Sequence, residues 1–96
     1  MIKSMPLPFC VYVHKSSRDN LNYIGFTTNL EARILNHNAG RTTSTAKRRP
    51  LELIFCEFHR SKKDALRREK YLKTDPGKRY LKLILRESTN TMTAKV

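Results

Sequence analysis

Phe9 to Leu30 reads FCVYVHKSSRDNLNYIGFTTNL, and the fold turns on these residues. Phe9, Val11 and Val13 alternate with Cys10, Tyr12 and His14, and the β-branched and aromatic content of the run supports a strand. Leu21 to Phe26 is a second short run of the same kind. Between them Lys15 to Asn20 is polar, with Ser16, Ser17, Asp19 and Asn20 as turn formers. Two such runs across a short polar gap read as an antiparallel hairpin. Gly25, inside the second run, can mark a close approach of another group to the backbone.

Past the hairpin, Thr28-Asn29-Leu30-Glu31 is a capping-box pattern that opens a helix with Thr28 as the cap. Leu30, Ile34 and Leu35 supply its apolar stripe, and Gly40 stands where a glycine ends a helix. Arg41 to Pro50 is a basic, Thr- and Ser-rich loop, and Leu51 to Phe58 is a third strand. Ser61-Lys62-Lys63-Asp64 caps a second helix running to about Lys73. Asp75 then caps a third, with Pro76 at its first position and Tyr80, Leu81, Ile84 and Leu85 as its buried face. Residues 1–8 read as a loose lead-in, 9–86 as one domain and 87–96 as a polar tail. The order β-β-α-β-α-α predicts an α+β fold, a three-stranded antiparallel sheet flanked by helices.

Twenty Lys and Arg oppose eight Asp and Glu, for a net charge of +12. Much of the excess lies in Arg60 to Arg86. Such a field attracts polyanions, DNA or RNA foremost, without naming a reaction. No apolar stretch approaches the roughly 18–20 residues that cross a bilayer, so no membrane partner is expected and the chain reads as cytoplasmic. Cys10 and Cys56 each sit in a strand run, without Cys-x-x-Cys spacing, and read as two reduced, buried thiols.

Glu69 is the sharpest clue to chemistry. Helical geometry sets it between Leu66 on one side and Ala65 and Leu72 on the other, and an acid on a core-facing surface is costly unless paired or metal-bound. A salt bridge to a nearby arginine is the plainer alternative. Arg33 and His37, four residues apart, share one helix face with Asn29; a cation beside an imidazole can hold a phosphate, or the face can simply be solvated. Tyr12 and Tyr23 fall in adjacent strands, where tyrosines usually pack. His14 and His59 read as surface or packing residues at strand ends. Lys47, Arg48 and Arg49 form a basic run in a loop, where solvation and phosphate contact are equally open.

Taken in order, these positions resemble the GIY-YIG nucleases. Val11-Tyr12-Val13 resembles the first element, and Tyr23-Ile24-Gly25 is the second verbatim. Arg33, His37 and Asn38-Ala39-Gly40 follow as in the family's first half, and Ala65 to Lys73 resembles the helix carrying its metal-binding glutamate. The likeness runs from about Phe9 to Leu85 and is similar to the compact single-domain branch related to the amino-terminal nuclease domain of excinuclease C. The resemblance implies phosphodiester hydrolysis with one Mg2+ or Mn2+ at Glu69, Arg33 countering transition-state charge, Tyr12 as general base, His37 as relay, and Tyr23 orienting water or phosphate. Arg33 and the metal are expected to favour the Tyr12 phenolate. Lys47, Arg48 and Arg49, with Arg67, Lys70 and Lys73, are expected to track the DNA backbone. The expected action is structure-directed or non-specific cutting of DNA, branched or nicked substrates included, in repair or recombination; a catalytically weak binding module is the rival. Val11 replaces the first motif's glycine, the family's late asparagine finds no counterpart before Asn90, and targeting would fall to a partner protein.

Overall fold

The computed structural model describes residues 7–42 and 45–88. Strand β1 (Phe9–Ser16) lies at the centre of a three-stranded sheet ordered β2-β1-β3, with β2 spanning Asn22–Thr27 and β3 Leu51–His59. Both neighbours run antiparallel to it. A central strand covered on both sides has no solvent face, and Cys10 to Ser16 is buried throughout. The two faces nevertheless differ in kind. Val11 and Val13 face the core, whereas Tyr12 and His14 project from the other side.

The hairpin turn closes with Asn20 at φ 64°, a left-handed conformation that asparagine tolerates, while Ser16 and Leu21 pair across it. Along β1, Tyr12 stands opposite Gly25 on β2 and Cys56 on β3, and His14 opposite Tyr23. The β1–β3 register shifts between Val13 and His14, so that Phe55 faces Val13 and Leu53 faces His14. Ile54, the extra residue, turns with Phe55 toward the core.

Helix α2 (Lys62–Leu72) and helix α3 (Asp75–Ile84) cover the apolar face. Ala65, Leu72, Leu81 and Leu85 meet Val11 and Val13 there. Full burial of a leucine such as Leu72 contributes about 1.5–3 kcal/mol. Ser61 caps α2 as expected, but Thr74, not Asp75, caps α3 by accepting from the Gly77 amide. The Thr74 hydroxyl also donates to the Tyr71 carbonyl, so one side chain ends α2 and starts α3. At Gly77 a Cβ would fall 2.0 Å from the Tyr71 carbonyl oxygen; only glycine lets the two helices meet this closely. Ile84 stays 39% exposed, so the expected buried face of α3 narrows to Leu81 and Leu85 with Tyr80 partly covered.

Helix α1 (Leu30–Asn38) lies on the opposite side of the sheet. Asn29 rather than Thr28 is its cap, accepting from the Ala32 amide; Thr28 is exposed, and the asparagine side chain takes the bond. Gly40 at φ 75° closes the other end, with the Gly40 amide on the His37 carbonyl and the Arg41 amide on that of Asn36. The apolar stripe expected of this helix does not hold together: Leu35 is 63% exposed, and the one fully buried residue of α1 is His37. The helix docks by a polar side chain because the sheet face beneath it is itself polar. Between α1 and β3 the basic segment forms a 3₁₀ turn, Ala46–Arg48, tied to the end of β1 by the Ser16 hydroxyl on the Arg48 carbonyl. Cys10 and Cys56 are free thiols. Among the described residues no helix is long and apolar enough to cross a membrane. Most of the lead-in and of the tail, and Asn90 with it, lie outside the described residues.

Candidate active site

One cavity of about 520 Å³ opens between α1, β2 and the flank of α2. Tyr12, Tyr23, Arg33, His37 and Glu69, drawn from four different elements, all line it. Each arrives by local rules. Tyr12 and Tyr23 share one sheet face, being on Tyr12's and His14's side of the paired strands. Arg33 and His37 lie one turn apart on α1. Glu69 sits on the flank of α2 rather than its core face: Ala65 and Leu72 are buried, but Leu66 is 40% exposed. The expectation of a core-facing acid therefore gives way to a cavity-facing one.

Tyr12 is the best-held group. Its ring lies across Gly25, where a Cβ would come 2.3 Å from the phenol oxygen, so the glycine of Tyr23-Ile24-Gly25 exists to let the phenol pass. The phenol meets His37 Nε2 at 3.1 Å, and His37 Nδ1 meets the Thr45 hydroxyl at 2.6 Å. Thr45 in turn donates to the Thr42 carbonyl. With the threonine proton so committed, Nδ1 carries the imidazole hydrogen and Nε2 accepts from Tyr12. Burial, with Arg33 beside it, lowers the His37 pKa, so the ring is the neutral acceptor this chain of bonds requires.

Burial also raises the Tyr12 pKa; Arg33 opposes this and Glu69 adds to it. Without a cation at Glu69, loss of hydration outweighs the guanidinium and the resting group is a phenol; Arg33 alone does not bring about the expected phenolate. Tyr23 donates its hydroxyl to Asp19 Oδ2 at 2.9 Å, and Arg48 pairs with the same carboxylate oxygen at 3.1 Å. Desolvation and that hydrogen bond raise the Tyr23 pKa. With its proton engaged, Tyr23 offers the cavity an acceptor, which suits water better than phosphate.

Glu69 is the sole carboxylate lining the cavity among the described residues, and Lys73 Nζ stands 3.1 Å from it across one helical turn. The plainer alternative for Glu69, an arginine partner, is not what the fold supplies; the partner is this half-exposed lysine. Arg33 makes no ion pair among the described residues. Of the six cations expected to track a backbone, Lys73 alone lines this cavity. Arg48 is held by Asp19, and Arg49 folds back on the Ala46 carbonyl. Arg67 pairs with Asp64 beside a separate cavity on the other flank of α2; Lys47 and Lys70 are exposed.

His14 does not line the cavity but packs behind it, a packing residue as its sequence reading allows. It is 1% exposed, with its ring centroid 5.0 Å from that of Tyr12 and 4.8 Å from that of His37. Burial, then the nearby His37, lower its pKa to about 4, and its Nδ1 has no hydrogen-bond partner among the described residues. The signal that could have found it is parity: two residues along a strand from Tyr12, it has to share that face. Thr45 leaves no such trace, since its role depends on how a loop crosses the sheet.

The family model for the GIY-YIG catalytic domain matches residues 8–81. The chain belongs to the GIY-YIG family. Among curated proteins, a UPF0213 protein of Staphylococcus haemolyticus is 47% identical over 75 residues, 77% of this chain and 90% of the relative. UPF0213 proteins of Staphylococcus epidermidis and Staphylococcus saprophyticus are each 37% identical over the same shares. No solved structure matches the chain. Membership places this GIY-YIG domain in a nuclease superfamily, and with it the expectation of a nucleic-acid partner.

Proposed function

We propose that this GIY-YIG domain is a divalent-metal-dependent endonuclease that hydrolyses DNA phosphodiester bonds with little sequence preference. The observation that carries the reading is the gathering of Tyr12, Tyr23, Arg33, His37 and Glu69 on one cavity. The donor set fits a hard cation: one carboxylate with phenol and threonine oxygens around it suits Mg2+ or Mn2+. Among the described residues no three His, Cys, Asp or Glu cluster, so Glu69 would be the one charged ligand and the remaining positions would fall to water and substrate oxygens. Glu69 would hold the ion once Lys73, which is 54% exposed at its side chain, swings away. When bound, the cation polarises the phosphoryl group and steadies the departing sugar oxygen.

The protein's own groups supply the rest. Tyr12 donates to His37 and keeps its lone pairs for a water. As that water's oxygen bonds to phosphorus and the phosphorus–sugar oxygen bond breaks, the water's proton passes to the Tyr12 oxygen. Tyr12's own proton moves to His37 Nε2, while Nδ1–H remains on Thr45. No phenolate has to exist beforehand, which reconciles a raised Tyr12 pKa with work near neutral pH. Arg33 offsets charge growing on the phosphoryl oxygens, and Tyr23 orients the water as an acceptor.

The test is incubation with nicked, flapped and branched DNA in Mn2+. Cleavage that disappears in Glu69→Gln while gel-shift binding persists is the expected result. Binding with no cleavage of any substrate by the parent protein would reduce the domain to a binding module. Preference for branched or nicked substrates would place the activity in repair or recombination.

A further inference from the structure

A second cavity, of about 580 Å³, adjoins the first beneath α3. The two share Asn22, Tyr23, Ile24 and Lys78, so they form one continuous depression along the edge strand β2. Lys15, Lys78 and Lys82 line the second part, and no carboxylate does among the described residues. Lys78 and Lys82 are exposed, one turn apart on α3 and outside every ion pair among the described residues. One helical turn separates Cβ atoms by about 5–6 Å, on the scale of neighbouring phosphates along a strand.

Lys15 is the more telling group. It is 7% exposed, and among the described residues its ammonium has one hydrogen bond, to the Asn20 carbonyl at 3.0 Å; Glu52, its exposed cross-strand neighbour on β3, forms no ion pair with it. A covered charge in that condition is costly unless a counter-charge arrives. The buried Leu81 and Leu85 floor the cavity, so an anion held there would be partly shielded from water and bound the more firmly.

We propose that this second cavity is a phosphate subsite that holds the DNA strand next to the phosphate being cut. Lys15, Lys78 and Lys82 are its cations. The inference rests on the nuclease reading for the identity of its ligand. It also gives the strand a direction, from Glu69 and Lys73 past Lys78 to Lys82.

The experiment is fluorescence anisotropy of a labelled DNA duplex with the whole protein in EDTA, over a range of KCl. The proteins are the parent, Lys82→Gln, the Lys78→Gln/Lys82→Gln pair, Lys15→Met, and a Lys62→Gln/Lys63→Gln control of equal charge away from both cavities. Each lost phosphate contact lowers the slope of log affinity against log salt by about 0.9 on duplex DNA. Lys82→Gln is therefore expected to lose about 0.9 and the Lys78/Lys82 pair about 1.8, with the control losing less than half of the latter. Lys82 is exposed, so its variant stays informative even where Lys15→Met fails to fold. Equal slopes for the Lys78/Lys82 pair and the control overturn the subsite. So does a slope change confined to an RNA duplex of the same sequence. Parallel Mn2+ cleavage separates the two readings: altered slopes without cleavage by the parent leave the subsite and remove the nuclease, and cleavage with equal slopes does the reverse.

Discussion

Gly25→Ala is the substitution for which the structure supports the firmest arithmetic. The new Cβ would lie 2.3 Å from the Tyr12 hydroxyl oxygen, 2.4 Å from Cζ and 2.9 Å from Cε2. Ordinary contact needs about 3.5 Å or more, so the end of the ring must move by roughly 1 Å. It cannot swing freely, because Tyr12 is 4% exposed, packed beside His14, and tied to His37 at 3.1 Å. Overpacking of this kind costs about 1–3 kcal/mol, and loss of the hydrogen bond about 0.5–1.5 kcal/mol more. A domain of this size loses roughly 4–8 °C in Tm for each kcal/mol. Displacing a reacting group by ~1 Å can cost about a hundredfold in rate. We therefore expect Gly25→Ala to lower Tm by about 4 °C or more and cleavage of nicked DNA in Mn2+ by about a hundredfold, with DNA binding in EDTA nearly unchanged. In a double-variant cycle, adding Gly25→Ala to Tyr12→Phe should cost little further rate, because both act on the same oxygen. A Gly25→Ala protein with the parent's melting temperature and turnover would refute the account of why a glycine stands opposite Tyr12.

Three further outcomes follow from the same geometry. Gly77→Ala, where the Cβ would meet the Tyr71 carbonyl at 2.0 Å and backbone cannot yield as a side chain can, is expected to destabilise by about 3 kcal/mol or more; a melting curve like the parent's would count against the α2–α3 packing described. His37→Phe keeps a ring but removes the acceptor, so cleavage should fall by about 10²–10⁴-fold, and the parent's rate should decline as acid protonates His37 at a pH below the ordinary value of 6.5; a rate flat down to pH 4 would exclude His37 as proton acceptor. His14, with its folded pKa near 4 against an ordinary 6.5, binds its proton less well when folded, so its contribution to stability is complete above pH 6.5 and lost between 6.5 and about 4, up to roughly 3 kcal/mol; His14→Phe should flatten that part of the melting-temperature profile, and an unchanged profile would refute the assignment.

The α+β architecture was readable because its signals are local. Period-two alternation in Phe9–His14, a polar turn, and capping residues ahead of apolar runs name each element without knowledge of its neighbours. Where expectation missed, the deciding contact was distant in sequence. Thr28 and Asp75 satisfy the local capping rule as well as their neighbours do; the choice of Asn29 and Thr74 depends on how the preceding chain enters the helix. Leu35 belongs to a plausible apolar stripe, but a stripe buries itself only against an apolar surface, and α1 lies over Tyr12 and His14. Spacing alone tied Arg33 to His37. Their meeting with Tyr12 and Glu69 needed the family resemblance or the coordinates, since nothing in the chain between Tyr12 and His37, 25 positions apart, links the two. Arg48 and Arg67 read as free cations in the sequence because Asp19 and Asp64 become partners only when the turn and helix have formed.

The placement of the polar rings on β1 ties chemistry to the register of the sheet. Val11 and Val13 hold α2 and α3, and Tyr12 and His14 stand on the reverse of the same strand. A slip by one position would exchange the two sets, drive a phenol and an imidazole into the apolar core and turn two valines toward His37. The cost of burying those polar groups without partners, a few kcal/mol each, opposes any such slip. The packing of Leu72 and Leu81 against the valines thus selects the register that brings Tyr12 over Gly25 and within reach of His37. It follows that the hydrogen bond need not be strong enough to place the phenol by itself. At about 1 kcal/mol net it could not do so, whereas the core behind β1 can. A substitution in that core which preserves register, such as Val13→Ala, should therefore lower stability while leaving turnover per folded molecule close to that of the parent.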